Sequence, residues 1–424
     1  MLTAVVGVNW GDEGKGRMVD LLSRDYDIVV RYQGGNNAGH TVVNDLGKFV
    51  LNLLPSGVFN NGTVNVLGTG MVIDIEHLWG EIEELTARGI KITPDNLKIS
   101  EKAIIVMPYH RTLDALEEDR LGEGKQGSTR RGIAPAYSDK YHRKALRVAD
   151  ILNLDTLRDK LTPIVSFKNL LLASYGAYYV SENECYSWLE HFGSKLAPFV
   201  TNTEKFLDNA AENGKNILFE AQLGTLRDLD FGIYPFTTSS NALAAYATIG
   251  GGVPGRKLDH VIGIVKAYSS SVGGGPFTVE MDGSDAEQLR EAGGEYGAAT
   301  GRPRRVGAFD CVASRFGVKM QGADTLALTK LDVLSYMDKI PVCVAYDVRG
   351  VRTEYFPTGD DLDAAKPIYE YLPGFRTDIS KCRKFSDLPQ AAQDYVRYIE
   401  KTVDARIQYV SVGASREDYI EIDN

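Results

Sequence analysis

With 424 residues, 43% of them apolar and 25% charged, the chain has the material for a large buried core in two or three packed subregions and the balance of a globular protein. A net charge of −10 excludes a general nucleic-acid or anionic-membrane binder but leaves room for a local basic site that takes one specific anion. No stretch approaches the ~20 apolar residues that span a bilayer, and Met1-Leu2-Thr3 leads straight into a strand pattern with no basic segment or cleavage site, so the expected location is cytoplasmic, without nucleic-acid or membrane partners.

Leu2 to Val8 reads as a strand and opens into Asn9 and "WGDEGKGRMVDLL", Trp10 to Leu22. A strand, a glycine turn and a helix starting near Lys15 would aim backbone N–H groups and the positive end of a helix dipole at an anion. The usual P-loop spacing is not met, because Asn9 stands where its first glycine should be and Gly16 follows Lys15. A carboxylate at Asp12 weakens anion binding unless it holds a cation or handles a proton. Mg²⁺ ligation or base chemistry is therefore one reading, and simple capping of the helix by Asp12 and Glu13 is the other.

Asp27 to Arg31 is the next strand, followed by "RYQGGNNAGHTVV", where His40 sits in a polar glycine loop beside Asn36, Asn37 and Thr41; a structural and a functional histidine are both open. Val64 to Leu67 is a strand and Ile75 to Ala87 an amphipathic helix, while 102–199 is richer in helical periodicity and charge and is expected to be a helical insertion or subdomain. Thr203 to Asn213 is helical, and Ile217 to Glu220 and His260 to Ala267 are strands. Glycine clusters at 250–252, 273–275 and 293–301 mark loops over a site. "TGRPRR" among such glycines, in an acidic chain, points to anion binding by Arg302 and Arg304 rather than to a solvated basic run.

Thr325 to Thr329 is a strand that ends in Thr329-Lys330-Leu331-Asp332. An Asp carboxylate accepts from the ring N–H and exocyclic amine of guanine, whereas adenine offers the wrong donors, and a lysine stem can lie over the base. The bland alternative is a surface Lys–Asp pair closing a strand. Ile340 to Tyr346 completes the strands and Leu388 to Lys401 the helices. Strands separated by helices predict an α/β fold with a large, mostly parallel central sheet covered on both faces. The four cysteines, 185, 311, 343 and 382, lack metal-ligand spacing and read as core residues.

The ordered segments "WGDEGKG", "QGGNNAGHT", "RRGIAPAYSDK", "DFGIYPFTTSSN", "VKAYSSSVGGGPF", "TGRPRRVGAFD", "LTKLDVL" and "SVGASR" resemble the adenylosuccinate synthetase family over almost the whole chain. The resemblance implies a single-domain fold over 1–424, a P-loop-like GTP-binding core with helical insertions, and a substrate loop at 293–305. It implies GTP-dependent ligation of L-aspartate to IMP through 6-phosphoryl-IMP, giving adenylosuccinate, GDP and phosphate, the first committed step from IMP to AMP. Mg²⁺ is the implied metal, on Asp12 and the Gly39 carbonyl, and a homodimer is the implied assembly.

By position, Asp12 matches the general base and His40 the acid near O6. GTP contacts correspond to Gly11, Asp12, Glu13, Gly14, Lys15, Gly16, Arg17, Gly39, His40, Thr41, Arg304, Lys330, Leu331, Asp332, Ser411, Val412 and Gly413. IMP contacts correspond to Asp12, Glu13, Gly14, Lys15, Asn37, Ala38, Gly39, His40, Thr129, Gln222, Leu223, Thr238 and Arg302, with Arg143 reaching the IMP phosphate from the partner subunit. Aspartate contacts correspond to Ala298, Ala299, Thr300, Gly301, Arg302, Pro303 and Arg304.

The chain departs from the family at Leu223, which stands where a glutamine is usual with Gln222 one place earlier, and at Ser271, where an arginine is usual. Ser128-Thr129-Arg130-Arg131 replaces Thr-Thr-Gly-Arg, and Arg17 replaces a lysine. Two other readings stand beside the main one: a ligase of the diaminopurine pathway with a guanine nucleotide as acceptor, whose members tend to carry Ser at the place of Asp12, and a GTP-binding regulatory protein.

Overall fold

The computed structural model describes residues 1–297 and 301–422, so the expected aspartate contacts Ala298, Ala299 and Thr300 lie outside the described residues. Ten strands form the central sheet: β1 (Leu2–Gly7), β2 (Ile28–Arg31), β3 (Val64–Leu67), β4 (Leu97–Ser100), β5 (Val200–Thr201), β6 (Ile217–Glu220), β7 (His260–Lys266), β8 (Thr325–Thr329), β9 (Arg406–Ser411) and β10 (Tyr419–Glu421). Their spatial order is β10-β9-β8-β7-β1-β6-β2-β3-β4-β5. Every pairing is parallel except that of the edge strand β10 with β9. The expected mostly parallel α/β sheet is therefore present.

Both faces of the sheet are covered, as the unbroken apolar runs require. Val5 joins Met18 and Val19 of α1 (Lys15–Leu22) on one face, while its neighbours Ala4 and Val6 pack with Leu207, Ala244, Ala247 and Val253 on the other. Residues 102–199 supply the helices Pro108–Arg120, Ile133–His142, Leu154–Ser174 and Glu182–Leu196. Leu113, Leu161 and Leu189 of these helices share a buried cluster with Leu67 and Ile99 of the sheet.

Three local expectations change. The strand expected at Ile340 to Tyr346 runs over Lys339–Val348 and lies outside the central sheet, pairing antiparallel with Val351–Thr353 and Ala365–Pro373. Its missed signal is Arg349-Gly350, both at positive φ (52° and 88°), the two-residue turn that closes a tight hairpin. The last long helix begins at Gln390 rather than Leu388, because Pro389 occupies the cap position. His40 opens the strand His40–Asn44, paired with Gly47–Leu51, instead of lying within the glycine loop.

Candidate functional site

Of the neighbouring strands β1 and β7, β1 runs on to β2 on one side and β7 to β8 on the other, and the crevice at the carboxyl ends of such strands is where a parallel sheet receives ligands. The segments after β1, β2, β6, β7, β8 and β9 converge there. They carry most of the candidate residues.

The turn after β1 is built by left-handed residues, Gly11 (φ 96°), Asp12 (φ 61°) and Gly14 (φ 101°). Gly14 caps α1 with no side-chain hydrogen bond, so neither Asp12 nor Glu13 is a helix cap. Glu13 folds back under the turn: its Oε1 accepts from Gly11 N at 2.7 Å and Asn9 N at 3.2 Å, and its Oε2 takes Lys15 Nζ at 2.7 Å. Both partners of that pair are 3% exposed. Removing one member of such a buried pair costs about 3–5 kcal/mol, so Glu13 fixes both the turn and its lysine. Thr329 Oγ1 donates to Glu13 O at 2.7 Å and ties in the end of β8.

Asp12 is half-buried and faces the arginine loop, with its Oδ2 3.3 Å from Arg304 Nε. His40 is held on Glu220 at the end of β6, Nδ1 to Oε1 at 2.5 Å. Glu220 is fully buried and also accepts from Ser56 N at 2.8 Å and Ser56 Oγ at 2.6 Å. Burial, then the nearby Arg31 guanidinium, pull the imidazole below its ordinary value, against Glu220. Burial alone would raise the Glu220 carboxyl, but His40 and Arg31 hold it below its usual range. Glu220 thus holds Nδ1 of the ring, which leaves Nε2 as the working nitrogen. Gly16 permits this packing, since a Cβ there would lie 2.6 Å from His40 Cβ.

Gln222 and Leu223 divide. The Gln222 side chain is 1% exposed and its Nε2 donates to Gly35 O at 2.8 Å and Gln33 O at 3.2 Å, locking the loop after β2. Leu223, at φ 57°, packs on Gly11 of the phosphate turn. The loop itself holds Asn37, whose Oδ1 accepts from Gly35 N at 3.2 Å, and Ala38, whose carbonyl accepts from Asn52 Nδ2 at 3.0 Å. Gly39 and Thr41 flank His40, each half-buried.

At the other end of the crevice, Asp332 has a buried Oδ1 without a hydrogen-bond partner among the described residues, and burial raises its carboxyl. Arg17 reaches Ser411 Oγ at 3.0 Å and lies 4.4 Å over the Tyr419 ring. Ser411 Oγ in turn donates to Gly413 O at 3.1 Å across Val412. Lys330, left-handed at φ 60°, turns its ammonium to Glu295 Oε1 at 3.2 Å and to the Gly293 carbonyl, so it does not form the surface pair with Asp332. Leu331 is buried between them.

The remaining candidates are spread around the rim. Gly301, Arg302, Pro303, Thr129 and Arg143 are exposed, and Arg143 ends the helix Ile133–His142. Thr238 is buried, its N–H donating to Arg227 O at 2.8 Å. Sequence reasoning missed Glu220, Glu295 and Arg227. The last places Nη2 2.8 Å from Ser271 Oγ, at the position where the arginine usual in the family is absent. None of the three belongs to a recognisable motif, and each has a partner far along the chain: His40 for Glu220 at 180 residues, Ser271 for Arg227 at 44 and Lys266 for Glu295 at 29.

A family model described as adenylosuccinate synthetase matches residues 4–420. The chain is 47% identical to the adenylosuccinate synthetase of Synechococcus sp. (strain CC9311), over 99% of this chain and 96% of that one. It is 46% identical to that of Bifidobacterium animalis subsp. lactis, over 99% and 98%. Among solved structures it is similar to the fully ligated adenylosuccinate synthetase from Plasmodium falciparum, with a TM-score of 0.93 and 34% identity over 99% of both chains. The cyanophage S-2L succinoaminodeoxyadenylate synthetase bound to dGMP and dATP shares the fold at a TM-score of 0.63, with 18% identity.

Proposed function

Since the chain belongs to the adenylosuccinate synthetase family and so is a ligase that joins L-aspartate to IMP at the expense of GTP, we propose a division of labour among its residues for that reaction. The reaction proceeds through 6-phosphoryl-IMP because a lactam oxygen is a poor leaving group and phosphate a good one. The observation that supports the assignment is that Asp12 of the turn after β1 lies 3.3 Å from Arg304, while His40, held on Glu220, packs against Gly16 of the same segment.

In this reading the Asp12 carboxylate takes the N1 proton of IMP, and the charge moves onto O6, which forms a bond to the γ-phosphorus as the bond to GDP breaks. His40, backed by Glu220, directs Nε2 at O6 and the transferring group and stabilises the charge there. Lys15 and the N–H groups of the turn beyond Gly11, up to Gly16, cradle the phosphates, and Arg17 and Thr41 flank them. The aspartate amine then attacks C6, and phosphate leaves. Arg302 and Arg304, with the loop of Gly301 and Pro303, hold the aspartate carboxylates.

The buried, unpartnered oxygen of Asp332 fits the donors of a guanine, with Lys330 over the base and Leu331, Ser411, Val412 and Gly413 beside it. Asn37, Ala38, Thr129, Gln222, Leu223 and Thr238 surround IMP; Gln222 acts by holding the loop and Leu223 by apolar contact. A hard carboxylate at Asp12 and the Gly39 carbonyl fit Mg²⁺, which takes one or two carboxylates and fills its sphere from phosphates and water. When bound it neutralises phosphate charge. Arg143, exposed at a helix end, serves the IMP phosphate of a partner subunit in a homodimer. Residues 1–424 form one domain, with 102–199 as a helical insertion and 293–305 as the substrate loop. No helix among the described residues is long and apolar enough to cross a membrane, which accords with a cytoplasmic enzyme.

Steady-state assays test the base-reading part directly. Asp332→Asn should lose the preference for GTP over ATP by about 10-fold or more, because a neutral amide cannot accept two guanine N–H bonds. Unchanged discrimination would remove Asp332 from the guanine site.

A further inference from the structure

One buried carboxylate belongs to none of the roles above. Glu295 is 0% exposed and gathers four donors. Its Oε1 accepts from Tyr268 OH at 2.5 Å, Lys266 Nζ at 2.9 Å and Lys330 Nζ at 3.2 Å, and its Oε2 from Arg304 Nη1 at 2.8 Å and Lys266 Nζ at 3.1 Å. Three cations therefore share one anion, and two of those cations are the residues assigned to opposite ends of the crevice, the guanine and the aspartate.

The backbone reinforces this. Glu295 O accepts from Arg304 N at 2.9 Å, so the residue closes the base of the loop that carries the arginines, and Tyr296 bridges to Pro303 just above it. Arg304 passes the arrangement on to Asp12 at 3.3 Å.

We propose that Glu295 is a positioning residue that sets Lys330 for the nucleotide and Arg304 for aspartate through one shared carboxylate, while touching no substrate itself. The proposal rests on the assignments of Lys330 and Arg304 made above. Without the carboxylate, three like charges are left in one buried pocket and repel, so both side chains leave their working positions together. The IMP contacts on the loops after β2 and β6, Asn37, Ala38, Gln222 and Leu223, lie outside this network and keep their own supports.

The test is steady-state kinetics of Glu295→Gln with each substrate varied in turn. The KM for aspartate and the KM for GTP should each rise about 10-fold or more, while the KM for IMP stays within about twofold. Should that variant fail to fold, Glu295→Gln with Lys266→Gln removes a cation together with the anion and should show the same split. Equal rises in all three KM values, no rise, or a rise for only one of aspartate and GTP would overturn the proposal. Lys330→Ala separates it from the underlying assignment: if Lys330→Ala leaves the KM for GTP unchanged, the guanine assignment fails. If Lys330→Ala weakens GTP and the Glu295 variants do not show the split, the inference about Glu295 fails by itself.

Discussion

Three candidate side chains in the crevice are each held by a carboxylate, and two of those carboxylates lie outside the motifs. Lys15 is set by Glu13, His40 by Glu220, and Arg304 by Glu295. For His40 the consequence is chemical, since a carboxylate on Nδ1 fixes the tautomer and supports positive charge on the ring when the phosphoryl group arrives. Glu220→Gln keeps the shape and can still bond the ring, but it removes that charge. Its kcat should fall by about 100-fold or more with a smaller change in the KM for IMP; a kcat within about threefold of the parent would make Glu220 a packing residue. The motifs named His40 and Asp12, whereas Glu220 was invisible because its partner lies 180 residues away.

Among the elements, those whose limits are set locally were legible. β3, β6 and β8 and the helices Lys15–Leu22 and Ile75–Ala87 have the bounds expected from apolar periodicity. What could not be read was membership: Lys339–Val348 is a strand as expected, but its hairpin turn and its partner at Ala365–Pro373 place it in another sheet. That small sheet also shapes a helix start. Asp310 caps Cys311–Gln321, its Oδ1 accepting from Ala313 N at 3.0 Å and its Oδ2 from Tyr346 OH at 2.5 Å. Burial pushes the Asp310 carboxyl up to about 6. The folded value thus lies above the unfolded value of about 3.9, so folding favours the protonated form, and its contribution is full below pH ~4 and lost as the pH rises through about 6. Asp310→Asn keeps a cap acceptor and cannot ionise. The melting temperature of the parent minus that of the variant should therefore shrink between pH 4 and pH 7, and a difference that grows over this range would contradict the burial argument.

At the scale of the molecule, strand order β8-β7-β1-β6-β2 brings the phosphate turn after β1, the histidine after β2 and, from the far half of the chain, the guanine segment after β8 to one crevice. The α/β class and the family were legible, because strand–helix alternation and long ordered motifs survive in a linear string. The order of the sheet was not, since parallel strands are joined by crossovers whose path leaves no local mark. The sharing of Glu295 by Lys266 at the end of β7 and Lys330 after β8 was hidden for the same reason.

The central claim is that Asp12 starts the reaction by making O6 of IMP the nucleophile toward GTP, and IMP labelled with ¹⁸O at O6 tests it most directly. The parent enzyme with aspartate, GTP and Mg²⁺ should release phosphate that carries the label, with adenylosuccinate formed in equal amount. Asp12→Asn, folded as the parent, should lose turnover by about 100-fold or more. Unlabelled phosphate from the parent, or near-normal turnover by Asp12→Asn, would contradict the account.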